Sequence, residues 1–268
     1  MENLRIVPAT EYSGEGISRG LARGLLVYYG DCNLTGEGMG LGSIALRDQE
    51  YTYFSRSWTD SDDLGLCRRT FTIDTRMRWT IRGKPSGLFT RLIESGIRAY
   101  MKLPFLQGVI MRPVLPLRNL LGIHPLFETI PPRGKVSFTY RVDGPLVEVK
   151  AGIEMTVGPH DTLCLLNELG AAWFTAGWDG ERPVPPPPGW EQVRPGELPV
   201  SFIDPLHGIR FFMGRPTVQP PVPVTIYRGR ERTGDLSWAG FCIELGPIDA
   251  SLGVPEIRYS IGFAPGGS

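Results

Sequence analysis

The feature that most constrains the fold of this chain is a two-residue alternation of apolar and polar side chains. It extends over four long runs, at residues 71–82, 136–142, 147–157 and 256–263. Successive side chains of a β-strand point to opposite faces of the sheet, so each run predicts a half-buried strand with one apolar face. Because the strands of parallel sheets are usually apolar on both faces, the alternation favours antiparallel sheets.

Composition supports the same fold class. The 268 residues include 34 glycines and 25 prolines, more than a helical bundle accommodates. A hydrophobic content of 41% is sufficient for a packed core, which excludes global disorder. We predict a single mainly β domain over residues 1–268, built as an antiparallel curved β-sandwich or barrel. The alternation and a single helix resemble lipocalin-like barrels, at the level of the fold alone.

One segment departs from the alternation. Between residues 86 and 103 the apolar residues recur at helical spacing, Ser86 can cap the start, and Pro104 follows the end. This spacing predicts an amphipathic helix over 86–103. Together with the apolar residues that follow it, the helix forms a predicted insertion at 84–127.

Two loops are marked by proline. The run at 183–188 predicts an extended surface loop within the same domain. Asp143-Gly144-Pro145 links two of the alternating runs and predicts a hairpin. Because Pro145 has no N–H, we expect its loop to be longer than two residues.

The distribution of charge limits the classes of partner. Lys and Arg (28) balance Asp and Glu (28), which argues against nucleic-acid binding by phosphate neutralisation. The N-terminus lacks a secretory pattern, and prolines interrupt the longest apolar region, so we predict a cytoplasmic protein without a transmembrane segment. Positive charge in residues 84–118 leaves peripheral contact with an anionic membrane open, beside simple packing of the helix on a sheet.

Common catalytic motifs are missing from the sequence. The glycines of Gly36–Gly42 match neither a dinucleotide nor a phosphate loop and predict close packing at a strand. The four cysteines contain no C-x-x-C pair, so no metal site or disulfide framework is predicted, and Cys164 and Cys242 are expected to be small buried apolar groups. The cofactor is unknown, and whether the protein is an enzyme stays open.

Residues 160–190 combine carboxylates, a histidine and tryptophans. A turn near residue 170 is predicted to join two strands, which would place Asp161 opposite Asp179. The candidate catalytic residues are His160, Asp161, Glu168 and Asp179, with Trp173, Trp178 and Trp190 as rings that stack on a sugar. This predicts a carbohydrate-active or carbohydrate-binding sandwich. The alternative is that these charges are solvated and that the histidine stabilises a turn.

A different hypothesis places a small, largely apolar ligand in a β-lined cavity covered by residues 86–127. Arg76 and Arg78 would bind a polar end of that ligand, and the cavity would be lined by Trp79, Phe138, Tyr140 and Met155. Binding, with or without a non-hydrolytic conversion, would be the function. A third hypothesis is a structural or interaction module whose subunit contact lies at Leu103–Phe127, so the oligomeric state stays open.

Overall fold

Over the residues that the structure describes, the fold is mainly β, with two large antiparallel sheets and one long α-helix. The computed structural model describes residues 1–14, 18–63, 66–85, 87–102, 120–179, 181–186, 189–194, 196–197, 199–233 and 236–266. The strands in chain order are β1 (Leu4–Pro8), β2 (Leu25–Tyr29), β3 (Cys32–Asn33), β4 (Gly40–Arg47), β5 (Thr52–Phe54), β6 (Ser57–Asp63), β7 (Leu66–Thr72), β8 (Thr75–Ile81), β9 (Lys84–Pro85), β10 (Ile123–Thr129), β11 (Lys135–Asp143), β12 (Leu146–Glu154), β13 (Thr162–Leu169), β14 (Ala176–Trp178), β15 (Pro183–Val184), β16 (Gly189–Gln192), β17 (Val200–Asp204), β18 (Ile209–Met213), β19 (Thr217–Gln219), β20 (Val224–Thr233), β21 (Leu236–Leu245) and β22 (Glu256–Pro265).

Each sheet consists of one long row of hydrogen-bonded strands, with a few short strands attached beside it. The first sheet runs β10-β8-β5-β4-β13-β21-β20-β16, with β1, β2 and β3 attached beside β4 and β9 beside β8. The second runs β15-β14-β17-β18-β22-β12-β11-β7-β6, with β19 beside β22. The long neighbouring strands pair antiparallel, as the alternation predicted.

The core lies between the inner faces of the two sheets. Phe241 of the first sheet contacts Phe202 and Phe211 of the second, with ring centroids 5.4 and 5.0 Å apart. The Tyr140 hydroxyl also crosses between the sheets and donates to the carbonyl of Gly42 at 3.0 Å. A Cβ on Gly42 would lie 2.4 Å from that hydroxyl, so the predicted close packing at the glycine run is confirmed here.

The alternating run at 71–82 is two strands and not one. β7 belongs to the second sheet and β8 to the first, and the chain crosses between them at Ile73–Asp74. Phe71 is fully buried between the sheets, whereas Trp79 packs on the outer face of the first sheet. Alternation indicates only that one face of a strand is buried. Here the opposite sheet buries the apolar face of β7, and α1 packs on the apolar face of β8.

The predicted helix is confirmed as α1 (Gly87–Lys102), and residues 86 and 103 at its ends lie outside the described ranges. It contacts β8 and β16, at opposite sides of the first sheet, so it crosses the outer face of that sheet. The buried hydroxyl of Thr90 accepts from the Trp79 amide at 3.1 Å and fixes the helix to β8. Within the described ranges, no helix combines the length and apolarity needed to span a bilayer.

The loop between β11 and β12 is shorter than predicted. Asp143 pairs with Leu146, which leaves only Gly144 and Pro145 in the turn. Gly144 has a φ of +54°, and proline can occupy the second central position of a type II′ turn, where φ is negative. The missing N–H of Pro145 is therefore no obstacle, and the expected longer loop was wrong.

The proline-rich run begins as an edge strand. Pro183 and Val184 form β15 at the end of the second sheet, paired with β14. Proline is tolerated there because an edge strand has a side without hydrogen-bonding neighbours. Residues 187 and 188 of the predicted surface loop lie outside the described ranges.

Candidate functional site

An open cleft of about 550 Å³ lies at one end of the first sheet. The pairing of Arg47 with Thr162 aligns the ends of β4 and β13, and this brings the turn at 48–51 beside the turn at 158–161. The cleft lies between these turns and is lined by Asp48, Gln49, Glu50, Tyr51, Tyr53, Arg76, Gly158, Pro159, His160 and Asp161. It thus unites three residues predicted from the sequence, namely Arg76, His160 and Asp161.

Asp48 organises the first turn of the cleft. One carboxylate oxygen accepts from the amides of Glu50 and Tyr51, each at 2.8 Å. The other accepts from the Tyr53 hydroxyl at 2.7 Å and from Arg133 at 2.8 Å. Burial raises the pKa of Asp48, but these hydrogen bonds outweigh burial and hold that pKa below its ordinary value. Burial, and then the bond to Asp48, raise the pKa of Tyr53.

Each carboxylate of the cleft has a guanidinium partner. Arg133 lies 2.8 Å from Asp48 and 4.0 Å from Asp161, and Arg91 lies 2.7 Å from Glu50. Arg133 is shared by two carboxylates, and the balance is completed by Arg76 and Arg78, which together pair with Glu128 beside the cleft. Four guanidiniums thus face four carboxylates, and the cleft and its immediate surroundings carry no surplus of either sign.

Arginines also pack on the two tyrosines of the cleft. Arg76 lies over the Tyr51 ring at 4.9 Å from its centroid, and Arg133 lies over Tyr53 at 4.3 Å. Arg76 in turn donates to Glu128 at 2.8 Å. These contacts hold the floor of the cleft in a fixed arrangement.

The second turn presents His160 and Asp161. The Asp161 carboxylate accepts from the amide of Gly158 at 3.3 Å and so closes the turn. The His160 side chain is exposed, and among the described residues its ring has no hydrogen-bond partner. Its imidazole can therefore donate to or accept from a ligand in the cleft.

The predicted pairing of Asp161 with Asp179 is not formed. β13 lies between β4 and β21 in the first sheet, whereas β14, which ends just before Asp179, pairs with β15 and β17 in the second. Asp179 instead accepts from the amides of Glu181 and Arg182, both at 2.9 Å, and stabilises an exposed turn. The chain after β13 changes sheets, which the local sequence pattern did not reveal.

Glu168 is buried on the outer face of the first sheet and does not line the cleft. One of its oxygens accepts from the Met39 amide at 3.3 Å. Among the described residues no ion pair to this carboxylate is present, and burial raises its pKa to about 7. At neutral pH a substantial fraction of this group is therefore protonated.

The predicted ligand-binding residues other than Arg76 lie elsewhere. Arg78 pairs with Glu128 at 3.0 Å, beside Arg76 but outside the cleft lining. The aromatic and apolar side chains predicted to line a cavity are buried in packed clusters: Trp79 lies beside α1, and Phe138, Tyr140 and Met155 lie in the main core.

The tryptophans predicted to stack on a sugar do not gather in one place. Trp178 lies near Arg210, and Trp190 stacks on Trp238 with ring centroids 4.1 Å apart. Trp173 contacts His207, with ring centroids 5.5 Å apart. These rings lie in different sheets or turns, so the structure assembles no common aromatic platform from them.

A histidine–aspartate pair stabilises the turn between β17 and β18. His207 Nδ1 lies 2.5 Å from Asp204 Oδ2, and Asp204 is fully buried. The other Asp204 oxygen accepts from the amides of Leu206 and His207, at 2.9 and 3.3 Å. This turn-stabilising role is the alternative that the sequence analysis gave for His160, and here a different histidine has it.

The outer face of the first sheet holds a second polar group that sequence reasoning missed. The donor atoms of Cys164, Cys242 and Glu244, here called the thiol–carboxylate cluster, all lie within 4.8 Å of one another and could hold a metal ion. Arg47 donates to Cys164 Sγ at 3.0 Å and also to Glu244. The Cys242–Cys164 hydrogen bond and then Arg47 lower the pKa of the Cys164 thiol despite its burial. The two cysteines lie on neighbouring strands, so the sequence reveals the cluster only once the register of β13 and β21 is known.

Comparisons with known proteins give no assignment. The chain matches no protein-family model, and no curated protein shows significant similarity to it.

Proposed function

We propose that this protein binds a small neutral carbohydrate, or a related polyhydroxylated molecule, in the cleft between the turns at 48–51 and 158–161. The observation that carries the proposal is the set of carboxylates, guanidiniums and tyrosines around an open space of about 550 Å³. That volume falls within the range of roughly 300–1,000 Å³ that is usual for small-molecule sites.

The charge balance favours a neutral ligand. Asp48, Glu50 and Asp161 each have an arginine within 4.0 Å, so an ionic ligand would have to compete with pairs that already exist. A hydroxyl group does not have to displace an existing ion pair, because it can donate to a carboxylate lone pair and accept from a guanidinium or an imidazole. A molecule with several adjacent hydroxyls matches this mixture of donors and acceptors.

Within the cleft, His160 and Asp161 are the polar contacts that the ligand would use. His160 is exposed, and Asp161 is only partly so. Tyr51 adds an aromatic surface beside them. The ligand would be a small molecule and not a nucleic acid, and a cytoplasmic location remains part of the proposal. Binding is proposed without a catalytic step.

The hypothesis of an apolar ligand under residues 86–127 stays a prediction. Residues 103–119 of that covering segment lie outside the described ranges. The polar lining of the cleft gives the carbohydrate hypothesis the more specific support.

Binding is tested by isothermal titration calorimetry against a panel of neutral monosaccharides and disaccharides, with acidic sugars as a comparison. We expect a neutral sugar to bind, and the variants His160→Ala and Asp161→Asn to weaken it by about tenfold each, the value of one hydrogen bond to a polar or charged group. His124→Ala is the matched control, because His124 is also an exposed histidine but lies on β10, outside the cleft lining.

The proposal fails if no neutral sugar binds. It also fails if His124→Ala weakens binding as much as His160→Ala does. Preferential binding of acidic sugars would contradict the argument from charge balance.

A further inference from the structure

The thiol–carboxylate cluster is built by the register of two neighbouring strands. Cys164 on β13 lies directly opposite Glu244 on β21, and Cys242 lies two residues earlier on β21. Residues two apart on a strand share a face, so all three side chains project to the outer face of the first sheet. Both cysteines are reduced and buried, whereas 16% of the Glu244 side chain remains exposed. Glu244 thus gives the cluster an edge toward solvent.

The spacing of the donors is close to that of a zinc site. Zn–S bonds of about 2.3 Å and Zn–O bonds of about 2.1 Å in a tetrahedron place the ligand atoms roughly 3.5–3.8 Å apart. Cys164 Sγ and Glu244 Oε1 are 4.0 Å apart. The remaining difference is within the reach of side-chain rotation.

The charges around the cluster also match a divalent cation. Two thiolates, one carboxylate and a divalent ion leave one negative charge, and the guanidinium of Arg47 neutralises it. Arg47 donates to Cys164 Sγ and to Glu244 Oε1, both of which are proposed ligand groups. Such hydrogen bonds to ligand atoms commonly orient the ligands of metal sites. On binding, the two thiol protons would pass to solvent.

We infer that Cys164, Cys242 and Glu244 form a binding site for a thiophilic divalent cation of the zinc class, with Arg47 donating hydrogen bonds to its ligands. This site is independent of the proposed sugar cleft. Tyr53 and Arg76 of the cleft lie on the core-facing side of the first sheet, opposite Leu46 of the main core, whereas the cluster is on the outer face. Three protein ligands leave a fourth tetrahedral position for water.

Cobalt(II) is a suitable probe, because its thiolate complexes absorb in the near ultraviolet. The reduced, metal-stripped protein is titrated with Co²⁺, and Zn²⁺ is then added as a competitor. We expect charge-transfer absorption that saturates at one equivalent and disappears when zinc is added. Cys164→Ser and Cys242→Ser should each lower the affinity by at least about 100-fold, and Arg47→Gln by about tenfold.

Cys67→Ser is the matched control, since Cys67 is a half-buried cysteine on β7 of the other sheet. It should keep the affinity of the unmodified protein. Circular dichroism establishes that each variant is folded.

A measurement on the unmodified chain covers the case in which a serine variant does not fold. Zinc should slow alkylation of Cys164 and Cys242 in dilute denaturant, without slowing that of Cys32 and Cys67. The inference is overturned if the fully reduced protein shows no thiolate-to-cobalt absorption, if Cys67→Ser weakens binding as much as Cys164→Ser, or if zinc protects all four thiols equally.

Discussion

Arg47 is the last residue of β4 and Asp48 follows it directly, yet the two belong to different polar regions. Asp48 lines the open cleft and bonds to Arg133, with exposures of 18% and 33% for the two side chains. Arg47 lies on the outer face of the first sheet and bonds to Glu244, with exposures of 20% and 16% for the two side chains. Two adjacent residues thus form one arginine–carboxylate pair in an open cleft and one in a less exposed layer on the outer face of the sheet.

The difference shows that the surroundings of an ion pair decide its role more than its partners do. A solvated pair contributes little to stability and can exchange partners with a ligand. In a buried pair, each charge depends on the other, because neither can recover its hydration if the partner is removed. The cleft is thus suited to reversible binding, and the outer face to fixed positioning of donors.

The largest expected effect is that of breaking the less exposed pair, Arg47–Glu244. Arg47→Met removes the guanidinium that pairs with Glu244 and should lower the free energy of unfolding by about 3–4 kcal/mol, the lower part of the range for buried pairs, because 16% of the Glu244 side chain remains exposed. Arg133→Met in the cleft should cost about 1 kcal/mol, since Asp48 keeps its hydrogen bonds from two amides and from Tyr53. Urea unfolding of both variants at neutral pH measures the two values. Equal losses would remove the distinction between the regions.

The next effect depends on pH and comes from the buried Glu168, for which the described residues provide no ion pair. Burial raises the pKa of Glu168 to about 7, so the folded state retains a proton that the unfolded state loses near pH 4.5. The stabilising contribution of Glu168 is therefore fully present below about pH 4.5. It is lost as the pH rises through about 7, by roughly 3 kcal/mol in total. Glu168→Gln should remove this contribution and be the more stable protein at about pH 8.

Urea unfolding midpoints between about pH 5 and pH 8 test this expectation. The matched control is Glu154→Gln, on the exposed face of β12, which should preserve the slope of the unmodified protein. A slope that Glu168→Gln leaves intact would show that the carboxyl is hydrated in the folded state.

The sequence predicted the fold class because local physics determines it. Alternation requires one covered face, and it identified β11, β12 and β22 and the antiparallel arrangement. The helix was located to within one residue at each end, since its spacing is equally local. Which sheet a strand joins is not local, and for that reason the run at 71–82 was predicted as one strand although it crosses between two sheets.

The residues of the candidate cleft were predicted only in part, for the same reason. His160, Asp161 and Arg76 were candidates on chemical grounds, and the structure places all three in the cleft. Asp48 and Tyr51 carry no motif, and only the pairing of β4 with β13 brings them to His160. The thiol–carboxylate cluster likewise depends on the register of β13 and β21, which no spacing along the chain encodes.

A smaller effect is expected at acid pH in the cleft. The hydrogen bonds to Asp48 hold its pKa below the ordinary value of 3.8, so its stabilising contribution is present above that value and is lost as the pH falls through the folded-state pKa. Asp48→Asn should cost about 1 kcal/mol at neutral pH and make the loss of stability below about pH 4 shallower. Thermal unfolding across this range measures it. Asp31→Asn, in an exposed turn, should leave the profile unchanged.

The smallest effect concerns the contact between Arg76 and Tyr51, 4.9 Å from guanidinium carbon to ring centroid. A double-mutant cycle with Arg76→Met and Tyr51→Leu should give a coupling of about 0.5–1 kcal/mol, the value of a cation–π contact that water can reach. The same cycle on Arg47 and Glu244 should give a larger coupling, because that pair joins two full charges and is the less exposed of the two contacts. A coupling above about 2 kcal/mol at Arg76 and Tyr51 would mean that the cleft floor is as desolvated as the outer face. A ligand would then have to break a strong internal contact to reach Arg76, and reversible sugar binding would have to depend on the turn at His160 and Asp161 alone.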